Sequence, residues 1–302
     1  MGRGLEAEAT REKSMHRREF LIRSATSVSA AWLSSKELLA ALARQPSVGK
    51  FSASDTVTLG STGIKTSRLA MGTGTVGYAH HSNQTGLGVK GLSDLLLNGY
   101  DNGLRFFDAA DAYGSHPHVA EALKHVPRDK VTVLTKTWAR DPVTARADLD
   151  RFRRELGTDY LDICLMHCLT DADWTERYRG VMDVFSEAKQ KGIIRAHGCS
   201  CHSIEALRAA AKSPWVEVDF ARINPIGSHM DADPQTVVSV LSEMKAAGKA
   251  VVGMKILGQG DLAQRQDEAI KYALSLGILD AFTIGAESKE QQKDLIRRIA
   301  AA

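Results

Sequence analysis

From residue 55 onward, short apolar segments alternate with longer segments whose apolar residues recur every three or four positions. The first pattern is typical of buried strands and the second of amphipathic helices. We expect eight strands, at residues 69–71, 106–108, 131–135, 163–166, 194–197, 220–223, 251–254 and 282–284. The clearest helices are expected at residues 143–156, 181–191, 204–212, 234–247 and 289–300.

Eight strand–helix pairs within about 240 residues favour a closed parallel barrel, so the expected fold is an α/β (β/α)₈ TIM barrel. A short β-hairpin, with strands at residues 57–59 and 64–66, is expected just before it. The alternative is a doubly wound sheet, because residues 72–77 match the G-x-G-x-x-G fingerprint of dinucleotide-binding folds. That fingerprint needs a helix starting within it, and a polar loop follows here instead, so we favour the barrel.

The first fifty residues differ from the rest. Arg17-Arg18-Glu19-Phe20-Leu21 resembles a twin-arginine export signal, and residues 25–33 supply a moderately apolar stretch after it. Residues 41–43 offer a small-residue cleavage point, and Met15 is an alternative start. We therefore divide the chain into residues 1–50, an export signal or a disordered tail, and residues 51–302, the barrel. An active signal would engage the twin-arginine export machinery and place the protein in the periplasm or outside the cell; otherwise it is cytoplasmic.

Charge and apolar content exclude two classes of function. The 39 Lys and Arg against 36 Asp and Glu leave a net charge of +3 with no basic stripe, so no nucleic-acid surface is expected. No apolar run reaches the roughly 18 residues that a membrane-spanning helix needs, so we expect no stable membrane insertion.

The cysteines give a weak indication of metal binding. Cys199, Cys201 and His202 form a C-x-C-H cluster, but no second cysteine pair lies at zinc-ligand spacing. We therefore expect packed thiols and no metal site.

Ionisable residues stand where three consecutive predicted strands end. Asp108 ends the second strand, Lys136 follows the third, and His167 follows the fourth, while Tyr113 comes five residues after Asp108. In a parallel barrel the strand ends meet at one rim, and neighbouring strands lie about 4.8 Å apart. We therefore expect these four side chains to converge at the site of chemistry.

The four residue types suit carbonyl reduction. Tyr113 would give a proton to the carbonyl oxygen, and a nearby Lys136 cation should lower the phenol pKa toward neutrality. Asp108 would keep the buried Lys136 charged by pairing with it. His167 would orient and polarise the carbonyl through a hydrogen bond.

These motifs resemble the aldo/keto reductase family. The resemblance is carried by Phe107-Asp108-Ala109-Ala110 with Tyr113-Gly114, by Leu134-Thr135-Lys136 and by Leu165-Met166-His167. It covers residues 55 to 300. It implies Asp108, Tyr113, Lys136 and His167 as catalytic residues, and NADP(H) more often than NAD(H) as the cofactor.

The resemblance also implies a set of cofactor-binding residues: Gly72, Thr73, Ser200, Met254, Lys255, Leu257, Gly285, Ser288 and Gln291. The chain departs from the family pattern at Cys201, where Asn is usual, and at Phe220, where Gln is usual. Met254 stands in place of an aromatic residue that stacks on nicotinamide. Glu287 stands where many NADP-using members carry a basic residue, which leaves the choice of nucleotide open.

The function that follows is NAD(P)H-dependent reduction of an aldehyde or ketone to an alcohol, or the reverse, with a small-molecule carbonyl substrate. The alternative is a non-catalytic nicotinamide-binding barrel with a regulatory or structural role. The intact tetrad favours the enzyme, whereas the missing amide contacts and Met254 keep the alternative open.

Overall fold

The structure, a computed structural model, describes residues 51–302. The segment predicted to be an export signal or tail, residues 1–50, lies outside the described residues.

The described residues alternate strands and helices, as the sequence pattern predicts. The strands are β1 (Thr56–Thr58), β2 (Lys65–Ser67), β3 (Leu69–Gly72), β4 (Phe106–Asp108), β5 (Thr132–Thr137), β6 (Leu161–Leu169), β7 (Ile194–Cys201), β8 (Val218–Arg222), β9 (Ala250–Met254) and β10 (Ala281–Gly285). The helices are α1 (Gly88–Asp101), α2 (His116–Leu123), α3 (Pro142–Leu156), α4 (Trp174–Arg177), α5 (Arg179–Gln190), α6 (Ile204–Lys212), α7 (Pro234–Ala246), α8 (Gln266–Ser275) and α9 (Lys289–Ala301).

Strands β3 to β10 form a closed barrel in which every neighbouring pair is parallel, and β10 closes it by pairing with β3. The predicted barrel is confirmed, and each expected strand overlaps an observed one. Helix α1 had no clear signal in the sequence because it begins at Gly88 and contains two more glycines. One of these, Gly99, packs so closely on Met71 that an added Cβ would lie 2.1 Å from its sulfur.

Alternation along the strands divides the core into two layers. Leu134 of β5 and Phe220 of β8 point into the barrel, whereas their neighbours Val133 and Ala221 point outward beneath the helices. This is the two-sided burial expected for a parallel barrel with covering helices. The side chains that project beyond the strands' carboxyl ends are therefore the ones available to a ligand.

The predicted hairpin is present, shifted by one residue on each strand. Strands β1 and β2 pair antiparallel, with Val57 opposite Thr66. Leu59 and Ile64 lie in the turn between them and are fully buried against the barrel's inner layer. The hairpin tip packs beside Ala250, the first residue of β9, so it covers the barrel end opposite the strands' carboxyl ends.

None of the helices among residues 51–302 combines the length and the apolar character needed to span a membrane.

Gly60 in the hairpin turn has a positive φ of 46°, and an added Cβ would lie 2.4 Å from the Ala250 nitrogen. Gly63 also has a positive φ, 74°, but open space around it. We expect Gly63→Ala to cost about 1–2 kcal/mol through backbone strain alone. Gly60→Ala should cost about 1–3 kcal/mol more because the backbone cannot move away. Denaturant unfolding measures both, and equal costs would show that the hairpin tip does not pack as described.

Candidate active site

A buried ion pair joins two neighbouring strands at the carboxyl end of the barrel. Asp108 ends β4, and Lys136 lies near the end of β5 with its side chain fully buried. The Lys136 ammonium donates to Asp108 Oδ1, and also to the Ala109 carbonyl oxygen at 3.0 Å. Thr283 of β10 donates to Asp108 Oδ2 at 2.9 Å. A buried charge needs such partners to offset its desolvation.

Tyr113 and His167 lie against this pair. Tyr113 ends a short 3₁₀ turn, Asp111–Tyr113, and its ring centroid lies 5.6 Å from that of His167, edge to face. The Lys136 ammonium lies 5.0 Å from the centre of the Tyr113 ring. The structure therefore brings together the three residues that the sequence placed at strand ends, Asp108, Lys136 and His167, and Tyr113 from the loop after β4.

The protonation of Tyr113 differs from the sequence expectation. Burial, followed by the nearby Asp108 carboxylate, raises the pKa of Tyr113 well above its ordinary value. The expected lowering by Lys136 was wrong for this structure. The physical reason is that the Lys136 charge is paired with Asp108 and lies over the face of the phenol ring. Tyr113 is therefore a neutral phenol at physiological pH.

His167 is also neutral. Burial, with a smaller contribution from the Lys136 cation, lowers the pKa of His167 well below its ordinary value. Its Nδ1 atom has no hydrogen-bond partner among the described residues. Arg140 donates to the His167 carbonyl oxygen at 2.6 Å and so fixes the backbone at this position.

The G-x-G-x-x-G segment that suggested a doubly wound sheet has another use here. An added Cβ at Gly74 or at Gly77 would lie 2.3 Å from the Tyr113 ring. These glycines allow the loop after β3 to pack directly on Tyr113. The match to a dinucleotide fingerprint is therefore accidental, and these glycines instead leave room for the Tyr113 ring.

A cavity of 420 Å³ opens beside Tyr113 and Asp108, which both line it. Among the predicted cofactor-binding residues, those that line it are Gly72, Met254, Lys255, Leu257, Gly285 and Gln291. Lys136 and His167 are not among its lining residues, and the cavity extends from Asp108 and Tyr113, past the loop after β9, to the start of α9. Its length and mixed polarity suit an extended ligand with both apolar and charged parts.

Three predicted cofactor residues do not line this cavity. Thr73 is fully buried and donates to the Asp108 carbonyl oxygen at 2.8 Å. Ser200 is buried and accepts from the Cys168 amide at 3.0 Å. Ser288 caps α9 by accepting from the Gln291 amide at 3.2 Å. In this structure Thr73 and Ser200 support the backbone around Asp108 and Cys168, and Ser288 supports the start of α9.

The far end of the cavity carries carboxylates that the sequence analysis did not fully identify. Glu287 and Asp294 both line it, and Lys255 is the one cation among the lining residues that the structure describes. Asn83 donates to Glu287 Oε1 at 2.7 Å from the opposite loop. Asp294 was missed, although its three-residue spacing from Gln291 places both on one face of a helix.

Removing the negative partner of the buried pair should be costly. We expect Asp108→Asn to lower the free energy of unfolding by about 3–5 kcal/mol, because the Lys136 charge is left without its partner. Asp150→Asn removes a half-exposed partner of Arg153 and should cost at most about 1 kcal/mol. Denaturant unfolding compares them. Similar costs for both variants would mean that Lys136 does not depend on Asp108.

Known proteins match both the sequence and the fold. Residues 68–275 match the model of the aldo/keto reductase family. An NADH-specific methylglyoxal reductase of Escherichia coli is 28% identical over 175 residues, 50% of this chain and 53% of that protein. A (1S)-1,7-diacetoxy-luvungin A aldo-keto reductase of Citrus sinensis is also 28% identical, over 45% of this chain and 50% of that protein. The chain thus spans about half the length of these curated relatives.

Solved structures agree in fold. A putative aldo-keto reductase from Pseudomonas aeruginosa superposes with a TM-score of 0.69 at 19% identity, covering 85% of this chain and 98% of that one. The holo form of an aldo-keto reductase from Bacillus halodurans gives a TM-score of 0.68 at 18% identity, covering 82% and 91%. The barrel, its strand-end cluster and the match over residues 68–275 lead to one assignment: the chain belongs to the aldo/keto reductase family.

Proposed function

We propose that the chain is an oxidoreductase that reduces an aldehyde or ketone to an alcohol with a nicotinamide dinucleotide. The observation that carries the proposal is that Tyr113 and Asp108 line the same cavity as Met254, Lys255 and Gln291. A proton donor and a surface for an extended charged ligand therefore share one space.

The residues of the cavity fit the proposed cofactor. The ammonium of Lys255 suits a pyrophosphate, and Met254 offers a polarisable apolar surface to a flat ring. The free amides at the start of α9 favour an anion. When bound there, the nicotinamide supplies the hydride.

The chain's own residues then handle the proton and the carbonyl oxygen. Tyr113, held neutral, donates its phenol proton to the oxygen as negative charge develops. His167, a neutral imidazole, orients the same oxygen by a hydrogen bond. Lys136, paired with Asp108, lies against the Tyr113 ring and so helps to position it.

The charge of the cavity bears on the choice of nucleotide. The family resemblance led us to expect NADP(H) more than NAD(H). Glu287 would repel a 2′-phosphate, whereas its carboxylate can accept hydrogen bonds from the two hydroxyls of an unmodified ribose. The NADH-specific relative in Escherichia coli shows that this preference occurs among similar proteins. We therefore favour NADH over NADPH for this chain.

Tyr113→Phe removes the proton donor and keeps the ring. We expect kcat/KM for aldehyde reduction to fall by about 10²–10⁴-fold, while nucleotide binding, followed by fluorescence titration, is retained. Tyr160→Phe, just before β6 at the opposite end of the barrel, is the matched control and should keep full activity. A Tyr113→Phe variant as active as the wild type would overturn the role of Tyr113. Nucleotide binding without turnover in the wild type would instead favour the regulatory alternative.

The pH profile gives a second measure of the same group. Reduction requires the protonated phenol, and the pKa of Tyr113 is raised, so the proton is lost only in strongly alkaline solution. We expect kcat/KM for reduction to stay level up to about pH 9. A decline centred between about pH 7 and 9 would instead show that Lys136 lowers the phenol pKa.

Glu287→Lys should reverse the nucleotide preference. We expect the ratio of the Kd values for NADPH and NADH to move by at least about tenfold toward NADPH, equivalent to about 1.4 kcal/mol. Glu290→Lys makes the same charge change three residues further on, in the first turn of α9, at an exposed position that does not line the cavity. If both variants shift the ratio equally, net charge rather than contact at Glu287 sets the preference.

A further inference from the structure

Asp219 is a buried carboxyl group with no evident purpose in the proposed reaction. It lies on β8 between Val218 and Phe220, which face the inside of the barrel, so its own side chain points outward beneath the helices. It is fully buried. Its Oδ2 atom has no hydrogen-bond partner among the described residues. A buried carboxyl oxygen without a hydrogen-bond partner destabilises the folded protein, so a group that binds it is expected.

Two thiols face the same space. Cys199 and Cys201 are two residues apart on β7, so their side chains lie on the same face of the strand, the outer one. Both are buried. Their sulfur atoms lie 3.9 Å apart, and Cys199 Sγ lies 3.5 Å from Asp219 Oδ1. The register of β7 and β8 places Cys199 directly opposite Asp219. One ligand atom from each of the three residues lies within 4.8 Å of the others.

These distances match the edges of a tetrahedral zinc site. With Zn–S bonds of about 2.3 Å and a Zn–O bond of about 2.0 Å, tetrahedral angles give an S–S edge of about 3.8 Å and an S–O edge of about 3.5 Å. The observed separations are 3.9 Å and 3.5 Å. A metal ion would therefore need very little movement of Cys199 or Asp219.

We propose that Cys199, Cys201 and Asp219 form a buried structural site for a thiophilic divalent cation of the zinc class. Two thiolates and a carboxylate are a ligand set that zinc accepts. Asp219 Oδ2, which lacks a partner, can approach the ion as a weaker second oxygen contact without occupying a tetrahedral vertex of its own.

The surrounding charges favour a cation. A second buried carboxylate, that of Asp231, is close enough to raise the pKa of Cys201 and of Asp219, and its own Oδ2 also lacks a partner in the described chain. Arg222 pairs with Asp231. The ammonium of Lys249 is bonded to the Ser213 and Val216 carbonyl oxygens rather than to the cluster. Ionised, the three ligands carry three negative charges, of which a divalent ion offsets two, while the Lys249 ammonium acts on Cys199 and Asp219 from a distance.

Metal binding and protonation compete at this site. Burial raises the pKa of Asp219 to about 7 and raises the pKa of Cys199. The contact with Cys199, followed by burial, raises the pKa of Cys201, so the two thiols of the metal-free cluster are protonated at neutral pH. Binding one divalent ion releases the two thiol protons, and the carboxyl proton where present, to solvent, with no change of oxidation state. Affinity should therefore increase with pH.

The site differs from the metal cluster that the sequence suggested and that we set aside. His202 is not a member, because its Nε2 atom lies 3.3 Å from Cys168 Sγ instead. Asp219 takes its place from the neighbouring strand. The site would also stiffen the end of β7, where Ser200, between the two cysteines, holds the amide of Cys168 beside His167.

Cobalt(II) is the probe, because thiolate-to-cobalt charge-transfer absorption reports sulfur ligands directly. The cluster is closed to solvent, so the full chain is refolded with Co²⁺ or Zn²⁺, desalted, and assayed for metal content and absorption. We expect about one ion per chain together with a charge-transfer band, both lost on acidification.

Two conservative variants and one control make the result specific. Cys199→Val and Asp219→Asn should each weaken metal binding by at least about tenfold. Cys164→Ala removes an equally buried thiol of β6 outside the cluster and should keep the ion. Circular dichroism checks that each variant folds, and Asp219→Asn, which is isosteric and uncharged, should fold without metal. Wild-type protein that retains no cobalt, or an Asp219→Asn variant that retains it with the same band, would overturn the proposal.

Discussion

The ion pair between Lys136 and Asp108 is the contact on which the rest of the mouth of the barrel depends. A fully buried ammonium is tolerated only where its partners are fixed. Lys136 of β5 donates to Asp108 and Ala109 at the end of β4, and Thr283 of β10 holds the Asp108 carboxylate in turn, so three strands take part. Thr73, which directly follows β3, donates to the Asp108 carbonyl oxygen and so connects a fourth strand to the pair. The pair therefore ties together the carboxyl ends of the strands at the seam where the barrel closes.

The same pair determines the state of Tyr113. Because Asp108 compensates the Lys136 charge, burial dominates and the phenol keeps its proton. The loop after β3 reaches the phenol ring only because Gly74 and Gly77 have no side chains. Proton donor, loop and cavity thus depend on one another, and a change at Asp108 should disturb all three.

Much of the fold was readable from the sequence because barrel strands are buried on both faces and so form short apolar runs. Residues 106–108 were predicted and observed as a strand, and the ordering of strand ends was enough to place Asp108, Lys136 and His167 together. The direction in which the pKa of Tyr113 shifts could not be predicted from the sequence. It depends on which charged group the phenol faces in the folded protein, and that group is Asp108. Likewise, the family resemblance implied Thr73 as a cofactor contact, because a motif match does not reveal that its side chain turns toward the Asp108 carbonyl oxygen.

Asp219 is a clearer example of a residue whose surroundings could not be predicted from the sequence. The strand predicted from the sequence, residues 220–223, begins just after Asp219, so the sequence leaves this residue outside the sheet. In a barrel covered by helices that position is buried, and only the register of β7 and β8 brings it opposite Cys199. Residue spacing within one segment cannot predict a cluster such as this one, whose members come from two strands.

We propose that the cavity and the strand-end cluster form one hydride-transfer site. The most direct measurement is a single turnover of an aldehyde with NADH that carries deuterium at both C4 positions of the nicotinamide, followed by mass analysis of the alcohol. We expect one deuterium on the carbinol carbon for the wild type, formed far more slowly by Tyr113→Phe. Bound NADH that transfers no deuterium to any aldehyde tested, or transfer at the same rate in Tyr113→Phe, would contradict the account.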